Sequence, residues 1–214
     1  MTAKIKLNAA SGGGSISIKA PSSSSNNRVI ALPDIADGTL LTSQSSLDST
    51  KLSPAISAGI AMADQWRPYN TQSIGSNTTA TITSWERNDN TFAGIGSAMN
   101  ESSGVFTFPS TGIYLVIYNL SFWNESGNCR YISGRLNYNG NLMSTPFCHI
   151  NHISTETFGN VGSNVMLDVT NTSHQLTFTA VSNSAFNVVG NNWAGVGNAS
   201  VNSGDVTFLR LGDT

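Results

Sequence analysis

The chain has 214 residues, of which 10% are charged, against about a quarter in an average soluble domain; Asn, Ser, Thr and Gly carry the polarity instead. A formal net charge of -2 without any Lys/Arg cluster gives no electrostatic footprint for nucleic acid or anionic lipid. No apolar run approaches the ~18 residues of a membrane span, so neither a nucleic-acid partner nor membrane insertion is expected, and the length suits one all-β domain with a smaller appendage.

Residues 1–45 carry short β-like dyads, Ile5/Leu7, Ile16/Ile18 and Ile30/Leu32, separated by "SGGG", "APSSSSNNR" and "LPDIADGT". These are turn and linker signals. No dyad buries enough to fold alone, so the segment is expected to be ordered by other chains, with a flexible linker as the alternative. Ile16, Ile18, Ile30 and Leu32 are its candidate attachment residues. The start, "MTAKIKLNAASGGGSIS", lacks the apolar stretch of a secretory signal, which implies synthesis in a cytoplasm. Residues 46–63 read as a neck or linker. Within "SPAISAGIAMAD" Ser53 caps, Pro54 suits the first helical position, and Ile56, Ile60 and Ala63 share a face, which predicts a short helix over 53–64 weakened by Gly59.

From residue 64 to 214 strand follows strand: 79–87, 104–108, 112–123, 129–138, 142–150, 163–169, 175–181 and 206–211, bounded by "PSTG", "NESGN", "TNTS" and "GNNWAGVGN". About eight strands at regular spacing without a convincing helix is the pattern of an antiparallel β-sandwich or jelly roll. In "GIYLVIYNLSFW" both alternating sets are apolar, Ile113, Leu115 and Ile117 on one side and Tyr114, Val116, Tyr118 and Leu120 on the other. Both sides of that strand need a cover.

Asn139-Gly140 between two apolar runs is a strong hairpin signal. A two-residue loop places Cys148 opposite Tyr131, leaving Cys129 and Cys148 diagonal and too far apart for an unstrained disulfide; a four-residue loop places them face to face. Free, buried thiols are expected.

Signals for chemistry are sparse. "FCHINHIS" invites a metal reading, yet on a strand Cys148 and His152 stand about 13 Å apart, and His149 points away from His152. No two of Glu101, Glu125, Glu156, Asp168 and Asp205 are paired by the pattern, and no nucleophile signature accompanies His174. No enzymatic activity, cofactor or metal is expected. Two aromatic loops suit sugar contact, one with Trp123 beside Asn124 and one with Trp193 beside Asn191 and Asn192; packing of both tryptophans into the sandwich ends or a subunit contact is the competing reading.

"SGVFTFPSTGIYLVIYNL", with Phe106, Phe108, Pro109, Gly112 and Tyr114, resembles the central hairpin of the complement globular head and its tumour-necrosis-factor-like (TNF-like) relatives, and "GDVTFLRL" resembles that family's closing strand. The N-terminal "GSISIKAP" and "NRVIALPDIADGTLLT" resemble segments near the start of bacteriophage tail-fibre proteins, and "ADQWR" with "SWER" resembles the heads attached to them. Together these resemblances imply a homotrimeric, non-enzymatic virion structural protein made in the host cytoplasm and carried on the phage particle surface. Its 1–45 segment would bind other virion proteins and its jelly-roll head would contact a host surface glycan. Tyr114, Tyr118, Leu120 and Phe122 are the candidate trimer contacts. A capsid-decoration or head-fibre protein is the alternative within that class, and a carbohydrate-binding module the alternative outside it.

Overall fold

The structure is a computed structural model that describes residues 4–8, 11–13, 15–19, 60–88, 92–124, 129–149, 156–193 and 202–214. The chain divides into two units, Met1–Leu47 and Asp48–Thr214. In the first, β1 (Lys4–Asn8) and β2 (Ser15–Lys19) form an antiparallel hairpin in which Ile18 lies opposite Ile5 and Ile16 opposite Leu7. Two of the sequence dyads are thereby joined, while Ile30 and Leu32 lie outside the described residues.

The second unit contains fourteen described strands: β3 (Met62–Pro68), β4 (Gln72–Ile74), β5 (Ala80–Thr81), β6 (Trp85–Glu86), β7 (Asn100–Ser102), β8 (Val105–Thr107), β9 (Gly112–Asn124), β10 (Ile132–Tyr138), β11 (Asn141–Ser144), β12 (Phe147–Cys148), β13 (Thr157–Val169), β14 (Gln175–Ser182), β15 (Phe186–Val188) and β16 (Asp205–Gly212). One sheet runs β11-β10-β14-β8-β7, with β12 on β10 and β5 on β14; the other runs β4-β15-β9-β16-β3-β6, with β13 on β9. Thirteen-residue β9 is the spine of the second sheet. Along one edge it pairs with β13 over its whole length, and along the other with β16 and then β15. No helix occurs among the described residues, and the all-β sandwich expectation holds.

The core lies between the sheets, and Phe106 is its hub. It meets the rings of Trp66, Trp85, Phe178 and Phe208 at centroid distances of 5.6, 5.5, 5.9 and 5.2 Å. Burying each such ring is worth about 1.5–3 kcal/mol. The stretch following Phe106 is explained by local geometry. Phe108 meets Tyr114 edge-on at 4.9 Å, and the Tyr114 hydroxyl donates to the Ser110 carbonyl at 2.9 Å, closing the Pro-Ser-Thr-Gly turn. Gly112 sits at φ 143°, where a Cβ would stand 2.4 Å from the Gly212 carbonyl oxygen, so only glycine allows β9 and β16 to meet there.

Three sequence expectations are corrected. Residues 62–64, assigned to the end of a helix, begin β3; the preceding residues of that helix, 53–59, lie outside the described set. The single strand expected over 79–87 is broken by Ser84 at φ 64°, so that Ala80-Thr81 pairs with β14 in one sheet and Trp85-Glu86 with β3 in the other. The strand expected from Ser163 begins at Thr157, because β9 supplies hydrogen-bond partners to Gly159, Asn160 and Gly162 as well.

Asn139 and Gly140, at φ 48° and 79°, form the two-residue turn, with Tyr138 opposite Asn141. A register shift after Leu136 then puts Cys148 opposite Ile132 instead of Tyr131. Both cysteines are free; the buried Cys129 sulfur lies 2.9 Å from Ser182 Oγ, and burial pushes the Cys148 thiol above its ordinary pKa.

Candidate functional site

The residues that invited a catalytic reading are dispersed. Glu101 Oε1 accepts the Gly104 amide at 2.6 Å and so braces the β7–β8 turn. Asp168 and Asp205 stand on different strands, Glu156 is exposed, and Glu125 and His152 lie outside the described residues. His149 is exposed, whereas Cys148 is half-buried. Among the described residues no group of three His, Cys, Asp or Glu is placed to hold a metal ion, and no helix is long and apolar enough to cross a membrane.

The charged residues of "ADQWR" and "SWER" have a structural task. Asp64 is buried, and its carboxylate accepts Arg87 Nε and Nη2 at 2.9 and 2.8 Å, the Trp66 indole N–H at 2.9 Å and the Met99 amide at 2.9 Å. The Arg87 guanidinium stacks 4.0 Å from the Trp66 ring centroid. Arg67, fully buried, donates to Glu86 Oε1 at 2.9 and 2.7 Å. A buried charge is tolerated only when paired and hydrogen-bonded in this way. The two pairs clamp β6 and the following loop onto β3.

The two faces of β9 have different surroundings. Tyr114, Tyr118, Leu120 and Phe122, the expected trimer contacts, are all buried at 0–1% exposure inside the subunit's own core. Tyr118 donates to the Gly134 carbonyl at 3.3 Å and lies 3.2 Å from Ser144 Oγ. These four therefore hold the sandwich together and cannot meet a neighbouring copy. The alternate residues face outward. Ala63, Leu209, Leu115 and Met166 form one row across β3, β16, β9 and β13, flanked on β9 by Ile113 and Ile117. Met166 is 65% exposed and Ile117 37%. Beside them Gln65 bridges Thr207 Oγ1 at 3.1 Å and Asp205 Oδ2 at 3.4 Å, and burial pushes the Asp205 carboxyl above the usual carboxylate range despite a hydrogen bond with Asn202.

A second apolar surface lies at the side of the sandwich, where Leu142, Met143 and Phe147 on β11 and β12 are exposed, Phe147 at 73%. Ser144 Oγ donates to Ser163 Oγ at 3.0 Å and ties this edge to β13.

At the far end of β9 the structure joins two loops that the sequence offered separately. The Trp123 and Trp193 rings lie 5.8 Å apart, and Phe158, opposite Trp123 in the β9–β13 register, lies 5.2 Å from Trp193 and is 51% exposed. Phe158 was not legible in the sequence, since "TETFGN" has no period, and only the register reveals it. Asn192 spends its side chain on the body: Oδ1 accepts the Thr71 amide at 2.8 Å and Nδ2 donates to Asn70 Oδ1 at 3.1 Å. Asn124 lies on the inward face, buried, and donates to the Ala185 carbonyl. Asn191 is buried with its amide nitrogen on the Pro68 carbonyl at 2.9 Å.

No protein-family model matches the sequence, and no curated protein matches it. Among solved structures, murine APRIL at pH 8.0 superposes on 70% of this chain and 98% of its own at a TM-score of 0.50, with 11% identity. The head is a TNF-like jelly roll. Eiger TNF from S. frugiperda covers 71% of this chain and 93% of its own, with 12% identity and a TM-score of 0.49. At such identities the likeness concerns fold alone, and the jelly roll's function has to be argued from its own surfaces.

Proposed function

We propose that this chain is a non-enzymatic structural subunit of a bacteriophage particle, a homotrimer whose N-terminal unit attaches to other virion proteins and whose jelly-roll head projects outward. The observation that carries the assembly is the apolar row of Leu115, Met166, Leu209 and Ala63 with Ile113 and Ile117 beside it, on the sheet face opposite the core, half-buried apart from the exposed Met166 and Ile117. A closed ring of identical copies is joined by heterologous contacts, so each subunit needs two different patches. The exposed Leu142, Met143 and Phe147 edge supplies the second. Closure into a ring covers both at once, which a two-fold pair meeting through one patch does not.

Charge supports a division of labour. Residues 1–47 hold four cations, Lys4, Lys6, Lys19 and Arg28, against two carboxylates, whereas the remaining residues hold six cations against ten. A basic attachment unit and an acidic head favour different partners and discourage the head from occupying the attachment site. The virion assignment rests on the resemblance of the N-terminal segment and of the "ADQWR" and "SWER" stretches to phage fibre proteins. Gold-labelled antibody against the head, applied to purified particles, tests it: label on a tail or capsid appendage is expected, and particles that carry none of the protein contradict it.

A further inference from the structure

We infer that the Trp123, Phe158 and Trp193 cluster is a carbohydrate-binding site at the Trp123 end of β9, which adds a ligand class to the reading above and rests on it only for biological setting. The first argument is position. The chain enters the head at Met62, which pairs with Arg210, itself opposite Tyr114. Trp123 is nine residues further along β9, about 30 Å away at strand rise. The cluster is therefore at the end of the second sheet opposite Met62. It is also separate from the apolar row, because Asn119 and Ser121 on β9 and Asn160, Gly162 and Asn164 on β13 intervene with a polar belt.

The second argument is chemical. Aromatic rings offer a broad apolar surface with a negative face, which suits the C–H side of a pyranose, and Phe158 is half exposed for that purpose. Hydrogen-bonding capacity is left over in the same place. Trp123 Nε1 and Asn191 Oδ1 have no partner, and they are two of the four such buried atoms among the described residues. Trp123 Nε1 belongs to the cluster itself, and Asn191 begins the turn that carries Trp193. An unmet buried polar group costs about 1–3 kcal/mol. A polyhydroxylated ligand brings donors and acceptors together and answers both, whereas an aliphatic partner answers neither. Both atoms are buried, so a sugar reaches them only with a shift of the side chains around them. The turn itself stays in place, fixed by the Asn191 and Asn192 amides on the Pro68 and Tyr69 carbonyls, each at 2.9 Å.

The test uses the full chain on an array of immobilised neutral oligosaccharides, followed by titration of tryptophan fluorescence with the free sugars that bind. Binding is expected to weaken at least about tenfold in Trp193→Ala and in Phe158→Ala, with mass and melting temperature unchanged, and several-fold in Trp123→Phe, which keeps a ring and loses the N–H. In an Ile117→Asp variant that no longer trimerises, affinity for the free sugar is expected to persist while retention on the array falls, since avidity is lost. That arm separates failure of the trimer from failure of the site. An array without a bound sugar, or binding that survives both alanine variants, overturns the proposal.

Discussion

The front and back of β9 are made from the same kinds of residue and do opposite things. The inward set is apolar from Tyr114 through Val116, Tyr118 and Leu120 to Phe122, almost fully excluded from solvent, and ends on the buried Asn124. The outward set is apolar only over Ile113, Leu115 and Ile117, turns polar at Asn119 and Ser121, and ends on Trp123. A face that stays apolar from Tyr114 to Phe122 is serving the sandwich core. A face that changes character part-way is not serving that core, and the contrast assigns the inner residues to folding and leaves the outer ones for the contacts proposed above.

Substitution on the inward face gives the largest expected effect. Tyr118→Ala removes a ring that meets Phe178 at 5.2 Å and strands the Gly134 carbonyl, so unfolding in urea should lose about 3–5 kcal/mol. That is a large fraction of a typical domain's 5–15 kcal/mol. Tyr118→Phe, which deletes only the hydroxyl, should cost about 1 kcal/mol in the same assay.

The buried ion pairs come next. Arg87→Ala leaves the Asp64 carboxylate with only the Trp66 and Met99 N–H groups, and should destabilise by about 3 kcal/mol. Adding Asp64→Asn to Arg87→Ala should recover part of the loss, which a chemical-denaturation double-mutant cycle reads directly.

How much of this was legible follows from the same comparison. The alternation in β9, the Asn139-Gly140 turn and the all-β class could be read from the sequence because each is a local signal. The alternation named two sets without saying which is inside, since Tyr and Leu suit either side, and the candidate trimer contacts Tyr114, Tyr118, Leu120 and Phe122 fell on the set that is buried in the subunit's own core. β3 was hidden by Asp64, Gln65 and Arg67, which interrupt its apolar pattern; Asp64 and Arg67 are buried because partners twenty or so residues away neutralise them. Trp123 and Trp193 were each legible as loop aromatics. Their meeting was not, because it depends on the β9–β13 and β9–β15 registers and on a turn seated against residues 68–71.

Smaller effects sharpen the outward half. Leu115→Asp should leave the unfolding free energy of an isolated subunit nearly unchanged while abolishing the proposed trimer, because its side chain lies on the sheet face away from the core. Asp205→Asn probes the polar margin of that contact. Burial raises the Asp205 pKa in the folded state, so the carboxyl contributes most stability when protonated, below its unfolded pKa, and loses that contribution as pH rises through the folded value. The variant should therefore melt slightly higher than wild type at neutral pH, and the difference should vanish in acid; equal melting temperatures at both pH values would contradict the assignment.

Sedimentation equilibrium of the full chain, with Ile117→Asp alongside, tests the central claim most directly. Three chain masses for the wild type and one for the variant, both with native β-sheet circular dichroism, is the predicted result. A wild-type chain that sediments as a single subunit would contradict it, leaving Met166 and Ile117 in open solvent without a partner.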